Sequence, residues 1–344
     1  MALYLVLALI DRSLPGRTPV LIDWGSLSLI TALIITSKGL EISGIFSRLA
    51  PVLVRISGGS GRRLFFFLLP SIAFSSAVIM NDTAMLVFIP LVVAVSEFSE
   101  LDGGRAVALS AIAANVGSSL TPVGNPQNVI IWREYGIGFV TFIIHMLPFV
   151  LLWMGILFVL VIFLPDENIS PKPLPPISTR WDLLIASTLV LGMNIYLGET
   201  GRDITSLVIT LMIFLIVDRR ILWSFDWALV LTFALIFADF NEVSHLISGS
   251  ARMFPGEGFK LLLASAGLSQ LISNVPATVL FLGSKPEWLP LALGVNLGGT
   301  GMIIGSLANL IALRISGIGM RDFHRYSIPY FLIALGISIL ILLL

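Results

Sequence analysis

The sequence predicts an all-α polytopic membrane protein: two inverted repeats, about nine crossings, and two re-entrant helical hairpins with broken helices at the midplane. Three observations carry this expectation. The 344 residues are 57% apolar and only 12% charged, against roughly 25% charged for a soluble domain, and the mean hydropathy is +1.00. Apolar stretches of about 20 residues, the length that spans a bilayer core of about 30 Å, recur between charged punctuation. Two distant segments of the chain also align with each other without a gap.

In chain order, residues 2–10 come first. They have no basic n-region and no small-residue cleavage site before Asp11-Arg12, so they read as a retained first helix and not as a signal peptide. Further crossings are expected at 19–37, 106–131, 141–164, 183–198, 204–218, 226–240, 289–313 and 326–344. The stretches 64–98 and 260–284 are cut at the middle by helix-ending residues, Asn81-Asp82-Thr83 in one and Ser273-Asn274-Val275-Pro276 in the other. Each half is too short to cross. Lipid offers no partner to freed backbone groups, so such hairpins must end inside protein or on a wet cavity. Two crossings are interrupted as well. One breaks between Ser118 and Asn128, where Pro122 and Pro126 remove helical N–H donors, and the other from Gly298 through Ser306. Segments 40–57 and 242–256, mixed in polarity, are expected to lie along the interface.

The interruptions are paired. Shifting 115–148 by 181 positions onto 296–329 matches Asn115, Gly117, Gly124, Asn128, Arg133 and six further residues with their own type. The first repeat then occupies 1–164 (hairpin about 64–98), a cytoplasmic linker and one linking crossing occupy 165–203, and the second repeat occupies 204–344 (hairpin about 260–284). The single linking crossing inverts the second copy. With the Pro-rich stretch 165–181 in the cytoplasm, basic residues fall inside by nearly two to one, as the positive-inside rule expects. That places the N-terminus in the cytoplasm and the C-terminus outside, in the plasma (inner) membrane.

Composition excludes other classes. Twenty basic residues balance twenty acidic ones without a basic block, so no nucleic-acid partner is expected. Cysteine is absent and the three histidines are scattered near expected helix ends, which leaves no metal site, no cofactor and no nucleophile–base pair for an enzyme. Inverted repeats with discontinuous helices are instead the pattern of secondary transporters, in which half-helix N-termini face anions and unwound carbonyls hold cations. The expected partners are the lipid bilayer and a small anionic or oxyanionic solute, with sodium or a proton as coupling ion.

Candidate substrate-binding residues are Asn81, Asp82, Thr83, Asn125, Ser273, Asn274, Thr300 and Ser306; the candidate cation-binding set is Ser118, Ser119, Thr121, Gly124, Asn128, Asn296, Gly299 and Asn309. Asp82 is the candidate coupling group, because an intramembrane carboxylate is costly and marks an ion path by default. A plain N-cap is the alternative for it. Asp239 and Glu242, at the end of a crossing, are expected to reach water, and Arg133 and Arg314 to mark helix ends. Trp24, Trp132, Trp181 and Trp227 are expected in the interfacial belt.

At Asn81-Asp82-Thr83-Ala84, Thr121-Pro122-Val123-Gly124-Asn125-Pro126-Gln127-Asn128, Ser273-Asn274-Val275-Pro276 and Ile304 through Leu310 the chain resembles the ion transporter superfamily. That superfamily includes divalent-anion/sodium symporters, citrate carriers, sodium/proton antiporters and arsenite pumps. The resemblance implies two hairpins pointing from opposite faces, a scaffold forming a homodimer, and a transport domain that moves like an elevator. It also implies cations between each hairpin tip and its paired helix break, with the anion between them. The Asn-Asp tip departs from the Ser-Asn-Thr tips of dicarboxylate carriers, so arsenite or antimonite efflux and sodium/proton exchange stand as alternative activities.

Overall fold

A computed structural model describes residues 2–97, 101–169, 178–247 and 255–343. The described chain is helical, with one isolated β-bridge between Ser60 and Asn168. Two short helices open it, α1 (Ala2–Ile10) and α2 (Leu14–Leu21). Between them Asp11 accepts from the backbone N–H and the hydroxyl of Ser13, at 2.8 and 2.7 Å, and this turn ends α1 early. A nine-residue helix is about 14 Å long. The opening segment is therefore shorter than a bilayer core as one straight helix, and the turn at Asp11–Ser13 leads directly into α2.

The first half continues with α3 (Trp24–Ile42), α4 (Leu49–Ile56), α5 (Gly61–Val78), α6 (Asn81–Glu97), α7 (Gly103–Ser118), α8 (Pro126–Tyr135) and α9 (Phe139–Phe163). The second half holds α10 (Trp181–Glu199), α11 (Asp203–Asp218), α12 (Arg220–Trp223), α13 (Trp227–Ile247), α14 (Gly258–Ile272), α15 (Asn274–Leu282), α16 (Trp288–Gly298), α17 (Leu307–Ser316) and α18 (Met320–Leu343). Helices α3, α9, α10, α13 and α18 are long and apolar enough to cross a membrane without interruption. The expected crossings 106–131 and 289–313 are each two helices, α7 with α8 and α16 with α17, parted by irregular backbone. The expected hairpins are α5–α6 and α14–α15. The interfacial segment expected at 242–256 lies partly outside the described residues.

Burial divides the helices into two kinds. Every residue from Gly104 to Ser118 of α7 is buried, as is Pro290–Gly298 of α16. A helix covered all round belongs at the centre. The uninterrupted helices instead leave one apolar side open, as Val140, Ile144 and Leu151 on α9 and Leu340 on α18 show, and that side faces lipid. Close approach builds the centre. A Cβ on Gly117 of α7 would lie 2.1 Å from the Ala73 carbonyl oxygen of α5, and one on Gly298 of α16 would lie 2.5 Å from Ser269 Cβ and 2.9 Å from the Ala266 oxygen of α14.

Polar residues in these helices are bonded across them. Asn194 of α10 donates to Thr36 of α3 (2.9 Å) and accepts from Ser206 and Thr210 of α11 (2.7 and 2.9 Å), which ties three crossings together. Arg133, expected to mark a helix end, lies in the last turn of α8 and is ion-paired with buried Asp203 at 2.5 Å. Its counterpart Arg314 is exposed. Trp132 is 2% exposed, so it belongs to the core and not to an interfacial belt, whereas Trp24, Trp181 and Trp227 are exposed. Asp239 and Glu242 are buried too; Glu242 pairs with Arg17 at 3.1 Å, an arrangement made by packing α2 against α13.

Candidate functional site

The two hairpin tips meet. Helix α6 begins at Asn81, whose backbone N–H donates to the Gly124 carbonyl (3.0 Å) and whose Oδ1 accepts from Asp82 N (3.0 Å). Helix α15 begins at Asn274, whose Oδ1 accepts from Val275 N at 2.9 Å. Ser273, just before it, has φ 77° and ψ 157°, a region that side-chain-bearing residues rarely occupy and that carries local strain. Both tips line one cavity of about 160 Å³, together with Pro126 and Gln127 of α8 and with Ser306 and Leu307 at the start of α17. Thr232, Phe233 and Ile236 of α13 form part of its apolar wall.

Four helices thus start at this cavity. The first turn of a helix leaves N–H groups without intrahelical partners and carries partial positive charge, so the walls favour oxygen-rich or anionic solutes. Among the described residues no Lys, Arg or His lines the cavity. Asp82 is the one carboxylate among the described lining residues.

Behind the cavity lies a network of amides. Asn115 accepts from Asn81 Nδ2 (3.1 Å) and donates to Asn309 Oδ1 (2.8 Å) and to the Ala111 carbonyl (2.9 Å). Asn296, 181 positions on, donates to Asn128 Oδ1 (2.6 Å) and to the Ala292 carbonyl (2.8 Å). Each broken crossing therefore holds the other. Asn128 Nδ2 reaches the carbonyls of Ser118, Ser119 and Thr121, and Asn309 Nδ2 those of Gly299 and Met302, so the two asparagines also fold the breaks of their own copies.

Of the expected substrate residues, the cavity brings together Asn81, Asp82, Ser273, Asn274 and Ser306. Thr83, Asn125 and Thr300 are buried but do not line it. Asn125 caps α8 through Asn128 N and donates to Ser118 Oγ and Asn296 Oδ1; Thr300 Oγ1 donates to the Leu297 carbonyl. In the expected cation set, the hydroxyls of Ser118 and Ser119 donate to the Asn115 carbonyl, and that of Thr121 to the Ala77 carbonyl. Gly299 lies where a Cβ would come within 3.3 Å of both Asn115 Oδ1 and Asn274 Nδ2. The Thr121 carbonyl accepts from both Gly124 N and Asn128 Nδ2, whereas the Ser118 and Ser119 carbonyls each accept from Asn128 Nδ2 and the Gly124 carbonyl from Asn81 N.

Three participants are not among the residues expected from sequence. Gln127 lines the cavity and donates to Asn296 Oδ1 at 3.2 Å. Gln270 of α14 bonds the second break at Gly298 O and Met302 N. His324 Nε2 accepts from Ile303 N in the same break at 3.1 Å. The signal for Gln270 is a lone amide in an apolar helix, where a buried polar group must find partners.

Buried broken helices, two hairpin tips at a shared cavity and an apolar rim define a membrane transporter. The chain belongs to the citrate transporter (CitMHS) family, whose model matches residues 1–284. It is 35% identical to the inner membrane protein YbiR of Escherichia coli over 96% of this chain and 91% of that one. It is 33% identical to the uncharacterized transporter MJ0456 of Methanocaldococcus jannaschii over 76% and 73%. A shorter match, 39% of this chain and 28% of the relative, is 35% identical to the silicon efflux transporter LSI3 of rice, Oryza sativa subsp. japonica. Among solved structures, the YdaH transporter of Alcanivorax borkumensis shares the fold, with TM-score 0.52 at 16% identity over 98% of this chain and 87% of that one.

Proposed function

We propose that the chain is a secondary active transporter of a small anion or oxyanion, coupled to a sodium or proton gradient through an elevator-type alternating-access movement. The observation that carries this reading is the single cavity at which both hairpin tips and four helix N-termini converge. The solute sits between Asn81-Asp82 and Ser273-Asn274, its oxygens facing helix N-termini. Asp82 is the coupling group. The carbonyls of Ser118 to Thr121 with Gly124, and those around Asn296, Gly299 and Asn309, are where sodium would bind. Two inverted repeats, a cytoplasmic N-terminus and a homodimer belong to the same proposal.

A second reading, efflux of a neutral hydroxide such as arsenite, is favoured by the lack of any cationic side chain among the described lining residues and by the name of the rice relative. Proteoliposomes test both. Wild-type protein is expected to move a labelled oxyanion or arsenite under a sodium or pH gradient, and Asp82→Asn to lose the dependence on that gradient. Identical ion dependence in wild type and Asp82→Asn sinks the coupling assignment.

A further inference from the structure

Gln127 is 2% exposed, lies on the cavity wall, and leaves its Oε1 without a hydrogen bond. Its orientation is fixed one amide at a time. Asn128 Nδ2 faces three backbone carbonyls at 3.0–3.3 Å, and carbonyls only accept. Asn128 must therefore turn Oδ1 toward Asn296, which answers with Nδ2; that same nitrogen donates to the Ala292 carbonyl. Asn296 Oδ1 is then the acceptor for Asn125 Nδ2 (2.8 Å) and Gln127 Nε2 (3.2 Å). Asn125 cannot be reversed, because its Oδ1 caps Asn128 N at 2.9 Å. Turning Gln127 over would set oxygen against oxygen, so its carbonyl stays on the side away from Asn296.

The position 181 residues further on is Ala308, so only one copy of the repeat carries this acceptor. The Asp82 carboxylate, on the same cavity, also has no hydrogen-bond or ion-pair partner among the described residues. Two buried acceptors without donors select by what they lack. A fully ionised anion has only acceptors to offer and leaves both unmatched, whereas a solute with hydroxyl hydrogens satisfies them.

We propose that Gln127, together with Asp82, reads hydroxyl donors on the solute, so that the transported species is a small oxyacid that keeps its hydroxyl hydrogens, neutral or singly charged. This rests on the reading of the cavity as the solute site of a small-oxyanion or oxyacid carrier. Helix N-termini meet the solute's oxygens, and Gln127 Oε1 and Asp82 take its hydrogens.

The full chain in proteoliposomes tests this with arsenite, silicic acid and boric acid, neutral hydroxides at pH 7, against sulfate and succinate, under imposed sodium and pH gradients. Wild type is expected to move at least one hydroxide and neither ionised anion. Gln127→Met, of similar length without the acceptor, should raise the half-saturating concentration about tenfold, the order of one buried hydrogen bond. Gln127→Leu substitutes where Gln127→Met does not fold. Equal transport of sulfate or succinate by wild type overturns the solute class while leaving the carrier reading intact. Unchanged hydroxide transport in Gln127→Met overturns the role of Gln127. A wild type that moves none of the five solutes removes the carrier reading and this proposal with it.

Discussion

Asn115 and Asn296 stand at the same place in the two copies, yet they do different work. Asn115 connects the first hairpin tip, through Asn81, to the break of the second copy, through Asn309. Asn296 takes Asn125 and Gln127 as its donors and leaves Asn274 to one side. Removing either amide strands buried partners, each worth roughly 1–3 kcal/mol when left unsatisfied. Asn115→Ala is therefore expected to destabilise the protein by roughly 1–3 kcal/mol, seen as earlier thermal unfolding in detergent. The arginines give a sharper contrast. Arg133→Gln leaves Asp203 buried without its cation and should cost about 1–3 kcal/mol, whereas Arg314→Gln, on an exposed side chain, should fall within about 0.5 kcal/mol of wild type. At this scale the sequence makes the residue types visible, because asparagines and glycines repeat at one offset. It does not make their partners visible. Arg133 reads as a helix-end arginine, as it is, but its pairing with Asp203, 70 positions away, shows only in the folded chain.

At the scale of elements, the broken helices are legible for a physical reason: Pro122, Pro126, Pro276 and the glycines around 298–305 prevent continuous helix. The role of α13 is not legible. Its cavity-facing Leu229, Phe233 and Ile236 are as apolar as any lipid-facing side chain, so periodicity cannot tell one wall from the other. Packing of each hairpin on its neighbour depends on small residues. Gly117→Ala would force its Cβ to within 2.1 Å of the Ala73 carbonyl oxygen, a backbone atom that can give way only by moving α5. Overpacking of this kind costs about 1–3 kcal/mol. Gly298→Ala meets Ser269 Cβ at 2.5 Å and should behave alike, while Gly155→Ala on α9, with nothing within 4 Å, should be neutral or stabilising by up to about 1 kcal/mol. Thermal unfolding of the three variants orders them. Equal stability in Gly117→Ala and Gly155→Ala would mean that α5 and α7 are not closely packed in the membrane.

For the whole molecule, the gap-free alignment of 115–148 with 296–329 makes the two copies visible, whereas the break in the opening apolar run after residue 10 is not visible. Hydropathy registers an apolar run there but not the turn that Asp11 and Ser13 impose after nine helical residues. Inversion of the copies is the remaining claim at this scale, and the composition supplies a clean test. The chain has no cysteine, so single cysteines can be added without background. Arg55 lies before the base of the first hairpin and Ser284 beyond the end of the second, and both are exposed. If the copies are inverted with the first hairpin entering from the cytoplasm, Ser284→Cys in whole cells should react with a thiol reagent that cannot cross the membrane. Arg55→Cys should react only after the cells are opened. Labelling of both from the same face would make the two copies parallel. A parallel arrangement cannot present its two hairpins from opposite sides of the cavity, and alternating access built on that opposition would fail with it.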